Sequence, residues 1–71
     1  MVQVTTVSQK IGKRIRQLRE EKHITQEDLA LESKLNRAYV GYIERGERNP
    51  STETISKIAK ALRVPLHELL K

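Results

Sequence analysis

A chain of 71 residues has room for one domain and only a limited core, so support from a second copy is expected. It contains no cysteine, which excludes disulfides and thiolate metal sites, and its net charge of +5, from 14 Lys and Arg against 9 Asp and Glu, points to a polyanion, nucleic acid before membrane. Tyr39 and Tyr42 are its only aromatic residues, too few for the stacking platforms of single-strand or RNA-loop binders, which leaves duplex DNA.

Residues 1–5 are expected to be a short flexible end, with an arm laid on DNA as the alternative. Thr6 with Gln9 has the spacing of a capping box, and Val7, Ile11, Ile15 and Leu18 then recur as one buried stripe of a helix that runs to about Lys22. The outer face of that helix carries Lys10, Lys13, Arg14, Arg16 and Lys22, open to phosphates or simply to water. Gly12 lies inside it at a cost of about 1 kcal/mol relative to Ala, which close approach by a neighbouring helix would explain.

A second helix starts at Thr25, where Asp28 completes a capping box and Ile24 and Leu29 stand as a hydrophobic staple. Leu29 and Ala30 face inward. Ser33-Lys34-Leu35 breaks the run, and Asn36 caps a third helix that turns Val40 and Ile43 to the core and Arg37, Ala38, Tyr39 and Tyr42 outward. Gly46 ends it and opens a loop to Pro50. Ser51 caps a fourth helix with Ile55, Ile58, Ala59 and Leu62 on its buried stripe, while Lys57, Lys60 and Arg63 point elsewhere. Pro65 starts a short fifth helix whose Leu66, Leu69 and Leu70 exceed what one side needs, leaving an apolar surface suited to a homodimer. The sum is one compact all-α domain of five helices over residues 6–71, with a helix-turn-helix at helices two and three.

Other chemistry is thinly supplied. His23 and His67 are too far apart in sequence to begin a metal site, no carboxylate pairs with a His at catalytic spacing, and Gly12, Gly41 and Gly46 make no phosphate loop. No apolar run approaches the roughly 18 residues of a membrane span, and MVQVTTVSQK is not a leader. The expectation is a cytoplasmic protein that is not an enzyme and takes no cofactor, metal or small-molecule effector.

Arg19, Thr25-Gln26, Leu29-Ala30, Ile43-Glu44-Arg45-Gly46, Asn49-Pro50-Ser51 and Ile58-Ala59 with Leu62 together resemble the lambda Cro and repressor type of helix-turn-helix domain, the Xre family, from about Ile11 to Leu70. Within it, Asn36-Arg37-Ala38-Tyr39 followed by the run from Ile43 to Asn49 is most similar to the controller proteins of restriction-modification systems. The resemblance implies a transcription regulator that binds a palindromic operator as a homodimer. It places Gln26 on a phosphate, Arg37 on a guanine and Ala38 on a thymine methyl in the major groove. Tyr39 would bond a phosphate and Tyr42 a base edge or the backbone, packing on helix two being the plain alternative for both. Arg45, Arg48 and Asn49 would grip the backbone beyond, a solvated loop being the plain alternative. Arg19 and Glu44 would form a partly buried structural pair. His23 and Lys34 stand where the family often has Gly; His tolerates a left-handed conformation better than most residues, and a Lys34 that is left-handed would bear strain that Gly avoids.

Two other readings are open to this sequence. A protein-interaction module or antitoxin on the same fold would use the C-terminal leucines. A basic membrane-surface protein would need a wide aromatic face that helix one lacks.

Overall fold

The computed structural model describes residues 6–71; the end expected over residues 1–5, with any arm, lies outside them, as does the side chain of Thr6 and so its capping box. Helices α1 (Thr6–Glu21), α2 (Gln26–Ser33), α3 (Arg37–Glu44) and α4 (Thr52–Leu62) are followed by a 3-10 turn, Leu66–Leu70, in place of a fifth α-helix. Local chemistry sets the starts. Thr25 and Asp28 form both halves of a capping box on α2, with Asp28 N donating to Thr25 Oγ1 at 3.0 Å and Thr25 N to Asp28 Oδ2 at 3.4 Å. Asn36 Oδ1 accepts from Ala38 N at 2.8 Å, and Ser51 Oγ from Thr54 N at 3.1 Å.

The ends share one device. Ile24 N donates to Arg19 O, Leu35 N to Ala30 O, Glu47 N to Tyr42 O and Val64 N to Ala59 O, the long closing bond of a Schellman motif after each helix. The left-handed residue is Gly46 after α3, but His23, Lys34 and Arg63 elsewhere, with φ of 58, 59 and 59°. His23 and Lys34, where the family often has Gly, are thus both left-handed, and Arg63 adds a third case. Ile24, Leu35 and Val64, next in sequence, each pack against the core.

That core joins Ile11, Ile15 and Leu18 of α1 to Leu29 and Ala30, Val40 and Ile43, the full α4 stripe of Ile55, Ile58, Ala59 and Leu62, and Leu69. Two expectations fail here. Val7 is 62% exposed; the stripe of α1 runs instead through Ser8, whose Oγ donates to Asn49 Oδ1 at 3.0 Å, so a polar residue is accommodated where an apolar one was expected. Leu69 is 1% exposed and belongs to the monomer's own core, leaving Leu66 and Leu70 at the surface. The cause is Arg14, which is not a free outer cation. Its Nε donates to Glu68 O at 2.8 Å and its Nη2 to Glu68 Oε1 at 2.7 Å, pinning the turn so that the next side chain points inward.

Gly12 is the crossing point of α1 and α3. A Cβ built on it would overlap Ile43 O and stand 2.8 Å from Glu44 O, both backbone atoms. Gly12→Ala should therefore destabilise the domain by about 1–3 kcal/mol, the cost of overpacking exceeding the helix preference of Ala. Urea unfolding measures this, and a neutral or stabilised mutant would mean that the helices are not in such contact.

Hydrogen bonding by Lys71, then by Arg14, holds the Glu68 carboxyl below its ordinary value of 4.5 against a smaller opposing effect of burial. A depressed folded value contributes stability above the unfolded one and loses it as pH falls through the folded one. Glu68→Gln should lower the thermal midpoint at neutral pH, with the gap to wild type closing as pH falls below 4.5. A gap that stays constant into acid would show that the carboxylate charge is not what holds the turn.

Candidate nucleic-acid interface

Glu44 ends α3 with its side chain 2% exposed, and three hydrogen bonds hold its carboxylate. Arg19 donates from Nε to Oε2 at 2.7 Å and from Nη2 to Oε1 at 3.1 Å, and Gln26 Nε2 donates to Oε1 at 3.0 Å. Arg19 Nη1 also reaches Ile24 O at 2.8 Å. The hydrogen bond that Arg19 donates to Glu44 raises the Arg19 pKa, and burial opposes it; the negative charge of Glu44 and then of Glu20 add to the rise. One carboxylate thus ties Arg19 of α1 and the first residue of α2 to the last of α3, and Arg19 extends the tie to the turn before α2. The expected pair is present, and Gln26 joins it: one of its two amide hydrogens is committed to Glu44 before any phosphate arrives.

Arg37 and Ala38 are exposed on the first turn of α3, directly after the Asn36 cap. Together with Gln26, Gly41, Tyr42 and Arg45 they line one shallow groove across the two helices. A second groove, sharing Gln26, Arg37 and Arg45, extends the surface to Arg16 and Thr25. Tyr39 is different: it is half-buried and packs against the core. Tyr42 is 38% exposed, and the guanidinium carbons of Arg45 and Arg48 lie 5.2 and 5.3 Å from its ring centroid. Arg45 also pairs with Glu47, Nε to Oε2 at 3.2 Å.

Most of the expected residues therefore share one face. Asn49 is exposed and accepts at Oδ1 from Ser8 on α1, a bond that braces the loop and commits the amide oxygen but not the Nδ2 donors that a phosphate would use. Gly41 is the member that sequence reasoning passed over. It is buried beneath Arg45, and the available signal was a second glycine inside a short helix. Among the described residues, no three His, Cys, Asp or Glu side chains converge as a metal site requires, and no helix is long and apolar enough to cross a membrane.

A family profile described as helix-turn-helix matches residues 15–69. Control protein C.BamHI of Bacillus amyloliquefaciens is 48% identical over 60 residues, covering 83% of this chain and 74% of that protein. The crystal structure of the restriction-modification controller protein C.AhdI from Aeromonas hydrophila superposes with a TM-score of 0.86 at 48% identity, covering 87% of this chain and 94% of that one. The controller C.Esp1396I, solved as a tetramer in complex with its natural 35 base-pair operator, gives a TM-score of 0.83 at 36% identity, covering 94% of this chain and 99% of that one. Some other relatives are longer, and the chain spans 38 to 48% of those.

The brace at Glu44 makes a stability prediction. Removing one member of a buried pair leaves an uncompensated charge, at about 3–5 kcal/mol, whereas an exposed pair is worth about 1 or less. With Glu44 at 2% exposure and Arg19 at 12%, Glu44→Ala should lose about 3 kcal/mol or more in urea unfolding. A loss of about 1 kcal/mol or less would reduce the brace to a surface contact.

Proposed function

We propose that this chain, which belongs to the helix-turn-helix family and is most like its restriction-modification controllers, is a transcription regulator that binds a palindromic duplex operator as a homodimer. The observation that carries this reading is the single face on which α2 and α3 present Gln26, Arg37, Ala38, Tyr42 and Arg45 to solvent. The end of α3 that enters a major groove in helix-turn-helix docking is the end that Asn36 caps and that Arg37 and Ala38 occupy.

In this reading Arg37 gives two hydrogen bonds to a guanine, which its planar fork fits and Lys cannot copy, and Ala38 meets a thymine methyl. Gln26, held by Glu44, offers its remaining amide hydrogen to a phosphate beside the free N–H groups of the α2 start. Arg45 and Arg48 take the backbone beyond. The exposed Leu66 and Leu70 supply apolar surface for the dimer, and two-fold pairing sets half-sites about 10 base pairs apart. The protein works in the cytoplasm, catalyses nothing, and answers to its own concentration, because dimerisation and operator occupancy rise together. Restriction and modification genes, its own included, are the targets that the controller likeness favours.

The test requires two different patterns. Arg37→Ala should cost about 1–3 kcal/mol and relax preference at one base pair per half-site. Gln26→Ala should weaken binding to all sequences alike. Selection from a pool of half-site variants at fixed salt reads both, and an Arg37→Ala profile that keeps the wild-type preference at every position overturns the assignment.

A further inference from the structure

The ring of Tyr42 stands where two cations meet. Arg45 caps the C-terminus of α3 and Arg48 lies in the loop beyond, yet both guanidinium carbons come within 5.3 Å of one ring centroid. That is inside the ~6 Å over which an aromatic face attracts a cation. Arg45 is seated from a second side as well. A Cβ built on Gly41 would stand 3.1 Å from its Nη1, a tight contact that would push the guanidinium aside by a few tenths of an ångström. Gly41 has no positive φ, and glycine is a poor choice inside a helix, so this close approach accounts for it where conformation does not.

We propose that Gly41 and Tyr42 form a seat that holds Arg45 and Arg48 as a preset pair of phosphate ligands, which makes Tyr42 a positioning residue for the DNA backbone and not a reader of bases. The inference rests on the DNA-binding reading above. An arginine free in solvent has much rotamer freedom to lose when it binds, and a partner that already confines it removes part of that loss. The nature of the partner matters. A carboxylate confines an arginine by occupying its N–H donors and cancelling its charge; a ring face attracts the cation and uses none of its five donors. Arg48 then keeps its donors and charge for phosphate oxygens, and Arg45, whose Nε pairs with Glu47 Oε2 at 3.2 Å, keeps its Nη donors for them. The hydroxyl of Tyr42 has no part in this, so the ring alone should suffice.

The experiment compares wild type, Tyr42→Phe, Tyr42→Leu and Gly41→Ala by fluorescence anisotropy on a mixed-sequence duplex across a KCl series, with base preference read from a randomised duplex pool. Leu keeps the bulk without the ring face, and the thermal midpoint of each variant checks that it is folded. Tyr42→Phe should retain wild-type affinity and salt slope. Tyr42→Leu should bind about tenfold more weakly, each exposed ring contact being worth a factor of about 2 to 5. Its salt slope should fall by about 1 to 2, one for each phosphate that an arginine no longer neutralises, with base preference unchanged. Gly41→Ala should melt higher, from the helix preference of Ala, and still bind more weakly with a reduced slope. A wild-type slope in Tyr42→Leu overturns the proposal, and so does loss of preference at one base pair in Tyr42→Phe, which would make the hydroxyl a reader. Failure of the wild-type protein to bind any duplex overturns the proposed function itself, and this inference with it.

Discussion

Among the described residues, the carboxylate of Glu44 is the one ionised group taken almost wholly out of water, and the motif is arranged around satisfying it. Burying an isolated carboxylate costs several kcal/mol even after relaxation, and the opposing gain requires a close, well-oriented cation and partners for the remaining lone pairs. Arg19 supplies two parallel bonds and Gln26 a third. The geometry is available only because Gly12 lets the end of α3 settle against α1. Since Arg19 also holds Ile24 O, just before the α2 cap, the angle between α2 and α3 follows from the same set of bonds. Neither eight-residue helix would persist alone, given the cost of nucleating so short a segment. Their existence and their mutual orientation have a common cause.

Termination works by a comparable exchange. A left-handed Lys or Arg bears roughly 1–2 kcal/mol that glycine would not, so His23, Lys34 and Arg63 look like poor choices in isolation. Each is followed by an apolar residue, Ile24, Leu35 or Val64, which the reversal of the chain delivers to the core. Burying such a side chain is worth about 1.5–3 kcal/mol when complete, enough to offset the strain. Ile24 serves twice, closing α1 and stapling α2.

What was legible in the sequence follows from the range of the interaction involved. The caps at Thr25, Asn36 and Ser51 depend on residues two or three positions away, and each is where its spacing puts it. The α4 stripe is unambiguous for the same reason. Val7 lies outside the core because a contact 41 residues long, from Ser8 to Asn49, sets which face of α1 turns inward, and a serine on that face looks like a polar position. Leu69 and Arg14 were misread through a contact 54 residues long. In the candidate site, Arg37, Ala38, Tyr42 and Arg45 could be named from the helix face and the family likeness. The seating of Arg45 over Gly41 could not, since it depends on the rotamer of a long side chain.

The brace also governs the electrostatics of the face that α2 and α3 present. Glu44 precedes Arg45 at the C-terminus of α3, the end at which the helix dipole is already negative. An unpaired carboxylate there would set a full negative charge beside the cations proposed to meet phosphates. Arg19 neutralises it from the α1 side, so its charge is spent inside the domain, and the open surface keeps the guanidiniums of Arg37 and Arg48 together with Arg45, which shares its charge with the exposed Glu47. Arg45 and Arg48, lying just past the last turn, in turn complement the residual dipole. The interaction that orients the two helices is therefore also what allows their outer face to be positive. A protein that held the same angle with an apolar contact at 44 would keep the shape but lose the anchor of Gln26, and with it the fixed amide that the proposed phosphate contact requires.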